Sequence, residues 1–181
     1  MDVMTEEKKP LRRNTSPEFV GIARLKAEQK RQLGEFERWA AEKNWARIHH
    51  SHYDWWMFPI PAPSSDGLKW TVYAGDIAEL KEDVAYRRDY LRGVELLLAS
   101  WGWDLAAQEF LPDPGPDQRW QDWPVRLYKA AVSLQAFGFD AQFASVKKYA
   151  LGLIGRGVGM TWNGRNLAVF FTEGRDPYQR S

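Results

Sequence analysis

From Asp76 to Trp101 the apolar residues return at helical spacing for about seven turns, and a stripe of that length must be covered by other parts of the chain. Ile77, Leu80, Val84, Tyr90, Leu91, Val94, Leu97, Leu98 and Trp101 hold one face. Asp76, with Glu79 three residues on, reads as a capping box that opens this helix, and Gly102 as its stop. Shorter stripes flank it. Residues 17–46 read as a helix behind Ser16-Pro17, with Ile22, Leu25, Leu33, Phe36 and Trp39 inward and Gly34 as its weak point. A third helix opens around Asp122-Trp123-Pro124, runs through Leu127, Ala130, Ala131, Leu134 and Phe137, and ends at Gly138. Asp140 caps a fourth, with Phe143, Val146, Ala150 and Leu153 inward and Gly155 as terminator.

Between these stripes lie segments that cannot be helical. Pro59, Pro61 and Pro63 each disfavour helix at the residue before, so Phe58 to Ser65 should run extended. Residues 111–117, Leu-Pro-Asp-Pro-Gly-Pro-Asp, read as a loop. Asn163-Gly164, flanked by Met160-Thr-Trp162 and Leu167–Phe171, predicts a β-hairpin over 158–171 that has to pack on the helices. The expected fold is a mostly α, single-domain helical bundle with an irregular Pro-rich segment and a C-terminal hairpin. Residues 1–16 read as a disordered lead-in, 17–172 as the domain and 173–181 as a tail.

At 181 residues, 44% apolar and 27% charged, the chain has the size and balance of one soluble globule. No apolar run approaches the ~20 residues of a spanning helix. The N-terminus carries no apolar signal core, so the expectation is a soluble, intracellular, cytoplasmic protein. The absence of Cys excludes disulfide scaffolds, thiolate zinc sites, iron–sulfur clusters and cysteine nucleophiles. Charge is uneven: the net is +3 over 1–33, −6 over 34–146 and +4 over 147–181. Basic ends on a near-neutral chain read first as solubilising tails. With the ten Trp they also suit a nucleic-acid-binding accessory role, the weaker of the partner readings.

All three His stand within four residues, at 49, 50 and 52, with Asp54 two further on. Clustered imidazoles and a carboxylate are metal-ligand types, but helical ligation wants His at i and i+4. On an extended segment His50, His52 and Asp54 would share a face. The reading nevertheless sets these His on the rim where a helix ends, with no metal or cofactor required. His52 and Asp54 beside Tyr53, Trp55 and Trp56 also suit acid–base chemistry, with Arg126 as the basic partner in a small enzyme acting on a nucleotide or ribosyl substrate. No Walker loop or nucleophile elbow accompanies them. Gly155-Arg156-Gly157-Val158-Gly159 follows a helix instead of opening one, which is the wrong side for a phosphate cradle. Trp39, Trp101 and Trp123 read as core, whereas an aromatic surface elsewhere would suit a peptide or a Pro-rich segment.

Four pieces in order resemble one family. Tyr53 followed by Trp56-Met57-Phe58-Pro59 is similar to the Tyr…Trp–apolar–Phe–Pro signature of the opioid growth factor receptor conserved (N-terminal) domain. Val94-Glu95-Leu96-Leu97-Leu98, then Gly102 and Leu105, resembles that family's long helix and its glycine break. Trp120 or Trp123 falls in the loop that follows, and Arg126-Leu127-Tyr128-Lys129 leads to Ser133-Leu134 and Gly138 as in the family's basic helix. The pieces span roughly 50–153. The chain departs from the pattern in having Ser51-His52 where the family has His-Asp, and the hairpin at 158–171 has no counterpart there.

The animal member of that family is described as a receptor for an enkephalin peptide that restrains growth at the nucleus and membranes. What the resemblance implies here is a non-enzymatic, receptor-like domain that binds a peptide or protein, with nuclear or membrane association by analogy. It supplies no catalytic residues. The ligand-binding candidates are His50, His52, Tyr53, Trp56, Arg126 and Lys129.

Overall fold

The computed structural model describes residues 8–179. Its elements in chain order are α1 (Ile22–Ala41), a 3₁₀ helix (Trp45–His50), α2 (Asp54–Met57), α3 (Ala74–Glu82), α4 (Val84–Ser100) and a two-stranded pair, β1 (Trp103–Asp104) with β2 (Glu109–Phe110). There follow α5 (Pro124–Phe137), α6 (Asp140–Gly155), a second pair, β3 (Thr161–Trp162) with β4 (Arg165–Asn166), and α7 (Ala168–Glu173). The fold is mostly α with a C-terminal hairpin, as the periodicity predicts. α1 packs on α4, α5 on α6, and α3 touches both α4 and α5. One continuous core runs from Leu25 and Phe36 through Tyr90 and Trp101 to Tyr149 and Phe171. None of the described helices is long and apolar enough to cross a membrane.

The seven-turn helix is two helices. At Asp83 the backbone turns extended (ψ 106°), and the Asp83 carboxylate accepts from the Tyr86 N–H as the N-cap of α4. Lys26 on α1 holds the same carboxylate at 2.9 Å. Val84, a nominal member of the apolar stripe, is consequently 67% exposed. Asp76 does not cap α3 but sits inside its first turn, where its carboxylate accepts from the Tyr73 N–H. α1 begins at Ile22, later than Pro17, and runs unbroken through Gly34.

The lead-in expectation is corrected from Arg12 to Ser16; residues 1–7 lie outside the described residues. Asn14 is buried, and its amide nitrogen donates to the carbonyls of Leu68 and Thr71, both at 2.8 Å. Its backbone N–H donates to Asp76 Oδ2 at 2.8 Å. A short polar side chain thus pins an otherwise featureless segment across the start of α3, where Gly75 also donates to the Arg12 carbonyl.

The hairpin is tighter than predicted. Asn163 and Gly164 both take positive φ (47° and 74°), the geometry of a two-residue turn that matches strand twist. Pairing stops after two residues each side, and Ala168 to Phe171 fall in α7 instead of a strand. α7 packs on α6. The described part of the tail returns as well: the Tyr178 ring stands 5.7 Å from that of Tyr128 on α5.

Candidate functional site

α5 presents three polar side chains, Arg126, Lys129 and Ser133, at i, i+3 and i+7, which puts them on one face. Each grips the segment 49–59. Arg126 Nη1 donates to the His49 carbonyl at 2.7 Å, Lys129 Nζ to Asp54 Oδ2 at 2.9 Å, and Ser133 Oγ to the Pro59 carbonyl at 2.7 Å. Ser133 Oγ also accepts from the Tyr90 hydroxyl at 2.7 Å, which ties α4 into the same seam. The face therefore fixes the His-rich turn, α2 and the first proline in register against α5.

Above this seam opens a cleft of about 600 Å³. His52, Asp54 and Trp55 line one side, with Ile60 and Ala62 to Ser65 continuing it. Trp123, Val125, Arg126, Tyr128 and Lys129 form the opposite side. Trp162 and Asn163 of the hairpin and Asp176 and Tyr178 of the tail close the rim. The hairpin is what brings Trp162 there, with its ring 5.8 Å from that of Trp123.

The floor is charged. Arg126 and Asp54 are nearly buried, with side chains 7% and 10% exposed, and Lys129 is 17% exposed. The Arg126 guanidinium lies 4.0 Å from the Trp123 ring centroid and 5.0 Å from that of Tyr53, so aromatic faces hold its plane. Its Nε stands 3.9 Å from Asp54 Oδ1, close enough for attraction and too far for a hydrogen bond. Burial pushes the Tyr128 hydroxyl above its ordinary range, and Asp176 and Tyr178 add to that.

Four of the candidates read from the sequence meet here: His52, Asp54, Arg126 and Lys129 all line the cleft. The other three lie elsewhere. Tyr53 is fully buried beneath it, its ring edge-on to Phe36 and Phe58, and burial raises its hydroxyl well beyond the usual range. Trp56 is half-buried and turned to α1, with Nε1 donating to Gln32 Oε1 at 3.1 Å and its ring edge-on to Trp70. His50 is exposed on the 3₁₀ helix. The extended arrangement that would align His50, His52 and Asp54 does not form, because Trp45–His50 is a 3₁₀ helix and Asp54 opens α2. Among the described residues no group of three or more His, Asp or Glu is placed to hold a metal ion.

Trp123 is corrected from core to cleft wall, since it is only partly buried and packs against Trp162. Trp55 lines the cleft beside His52 and Asp54, and Tyr128, Trp162 and Tyr178 join it without a sequence reading that singles them out. Trp162, next to the Asn-Gly turn, carried a usable signal: a Trp beside a two-residue turn on a short hairpin has little core to enter. His49 is buried and stacked on Trp101, with centroids 5.3 Å apart and planes 10° from parallel. Its Nε2 meets Ser100 Oγ at 2.9 Å while Ser100 donates to the Leu97 carbonyl, so His49 carries its proton on Nε2 and leaves Nδ1 without a partner. Burial, and secondarily Arg126, push its pKa down to about 3.

No family model, curated protein or solved structure matches this chain.

Proposed function

We propose that the protein is a non-enzymatic peptide- or protein-binding domain of the opioid growth factor receptor type, whose ligand lies in the Trp- and Tyr-lined cleft between the 52–65 segment, α5 and the hairpin. One observation carries the reading: five aromatic side chains, Trp55, Trp123, Tyr128, Trp162 and Tyr178, surround a single cleft floored by buried charge. Apolar walls with few fixed polar groups are how ligand sites combine affinity with orientation. Rigid aromatic grooves suit extended peptide segments, which arrive with little chain entropy left to lose. The resemblance over 50–153 supports the same reading, because Arg126, Lys129 and Ser133 belong to the helix that resembles the family's basic helix.

A second reading has its own observation. His52, Asp54 and Arg126 line the same cleft, the placement required of a small enzyme acting on a nucleotide or ribosyl substrate. Against it, Asp54 is already committed to Lys129 at 2.9 Å.

A thermal-shift screen of short peptides, nucleotides and divalent metals separates the two, with wild type beside His52→Ala and Trp162→Ala. A ligand at ~100 times its dissociation constant adds about 2.7 kcal/mol. Shifts from peptides that vanish in Trp162→Ala support the binding domain. A nucleotide shift lost in His52→Ala replaces it with the enzyme.

A further inference from the structure

Arg126 is a buried cation with unused donors. A guanidinium offers five N–H donors; Nη1 donates to the His49 carbonyl and the Tyr53 hydroxyl lies beside the same group, which leaves part of the donor set for a ligand. The neighbouring Lys129 is matched by Asp54 at 2.9 Å, so the floor of the cleft retains one unbalanced positive charge in a partly dehydrated site. At the rim, the exposed Asp176 accepts from the Tyr178 N–H and the exposed Arg165 guanidinium stands over the Tyr178 ring at 4.8 Å, so charges of both signs stand there in solvent, apart from the buried floor.

Resting on the peptide-binding reading above, we propose that the cleft selects a peptide bearing a glutamate side chain, which Arg126 takes at the floor, beside an apolar side chain held among Trp55, Trp123 and Trp162. The planar guanidinium, fixed between Tyr53 and Trp123, matches a planar carboxylate in a two-pronged contact. One carboxylate cancels one spare charge, whereas a phosphate dianion would exceed it and crowd Asp54. The depth of the floor selects the source. Arg126 is only 7% exposed, so the anion must come down on a side chain. A chain-terminal carboxylate would draw backbone amides into the cleft without partners. The exposed neighbours are aromatic, so the residue next to the glutamate is apolar.

The test uses three probes added to the 181-residue chain: N-acetyl-Trp-Glu-amide, N-acetyl-Trp-Gln-amide, and N-acetyl-Trp-Gly with a free terminal carboxylate. Binding is followed through the indole N–H resonances. The Glu peptide is expected to bind at least tenfold tighter than the Gln peptide and tighter than the free-terminus peptide. The shifts should centre on Trp55, Trp123 and Trp162, and the Glu preference should disappear in Arg126→Gln. Should that variant not fold, Arg126→Lys, which keeps the charge and loses the fork, is expected to reduce the preference severalfold. Equal affinities for the Glu and Gln peptides at these indoles overturn the glutamate proposal and leave the peptide-binding reading standing. Tighter binding of the free-terminus peptide overturns the side-chain source. No indole shift from any probe overturns both.

Discussion

Arg126 Nη1 reaches the carbonyl of His49 at 2.7 Å across 77 residues of chain, and this bond locks α5 to the turn that carries all three histidines. The same guanidinium packs on Trp123 and Tyr53, so the side chain that fixes α5 also forms the floor of the cleft. Arg126→Lys is expected to destabilise the fold by about 1–3 kcal/mol, since a lysine can supply neither the fork nor the stacking plane. Urea unfolding with an unchanged m value checks this, and a midpoint equal to wild type would remove Arg126 from the structural account.

Trp56 and Trp162 should separate cleanly. Trp56→Ala removes a ring packed on Trp70 and a hydrogen bond to Gln32, with an expected loss of roughly 3 kcal/mol. Trp162→Ala, on a short hairpin at the rim, is expected to cost about 1 kcal/mol or less and to abolish peptide shifts in the thermal screen. The reverse pattern would place the ligand against α1.

His49 makes stability sensitive to acid. Its folded pKa of about 3 lies below the unfolded value of 6.5, so the unfolded chain takes up a proton that the folded chain refuses. The contribution is complete above pH 6.5 and is lost as the pH falls from 6.5 towards 3, at up to about 1.4 kcal/mol per pH unit. His49→Phe keeps a ring against Trp101 and leaves Ser100 its bond to Leu97; it is expected to flatten this slope in unfolding curves taken at successive pH values. An unaltered slope would assign the acid sensitivity to the carboxylates.

Asn14 predicts a strong effect from a segment outside the helices. Asn14→Ala removes a donor from the Leu68 carbonyl, which keeps the Thr71 N–H, and the side-chain donor from the buried Thr71 carbonyl, and a loss of about 2–3 kcal/mol is expected. Limited proteolysis should then cut near residues 12–16 well before global unfolding. Resistance equal to wild type would show that the segment is held by other contacts.

The apolar periods of α1, α4, α5 and α6 were legible because each helix buries one continuous stripe, as was the Asn163-Gly164 turn. The break at Asp83 was not, because Ile77, Leu80 and Val84 satisfy helical spacing whether or not the backbone turns between them. Only the capping bond to the Tyr86 N–H and the ion pair to Lys26 decide it, and Lys26 is distant in sequence. Asn14 was unreadable for a similar reason, since its partners at 68, 71 and 76 exist only after α3 is placed. At the site, Arg126 and Lys129 stood out as neighbours on one helix face. Ser133 completes their spacing, yet nothing local told a gripping serine from a solvated one. Trp123 is ambiguous in sequence because a Trp ahead of a helix-opening Pro looks alike whether a core or a cleft receives it.

The walls of the cleft are drawn from residues 52 through 178, so nearly the whole described chain must be in place before the cavity has all its sides. Of the cleft's walls, the strip from His52 to Ser65 is made first, and it waits for α5, then for the hairpin, then for Tyr178 to come back over Tyr128. A nascent chain stalled before the hairpin would already hold the seam of Arg126, Lys129 and Ser133 but would lack Trp162 and the rim. A chain that has not yet formed the hairpin and brought Tyr178 back over Tyr128 therefore lacks two sides of the cleft.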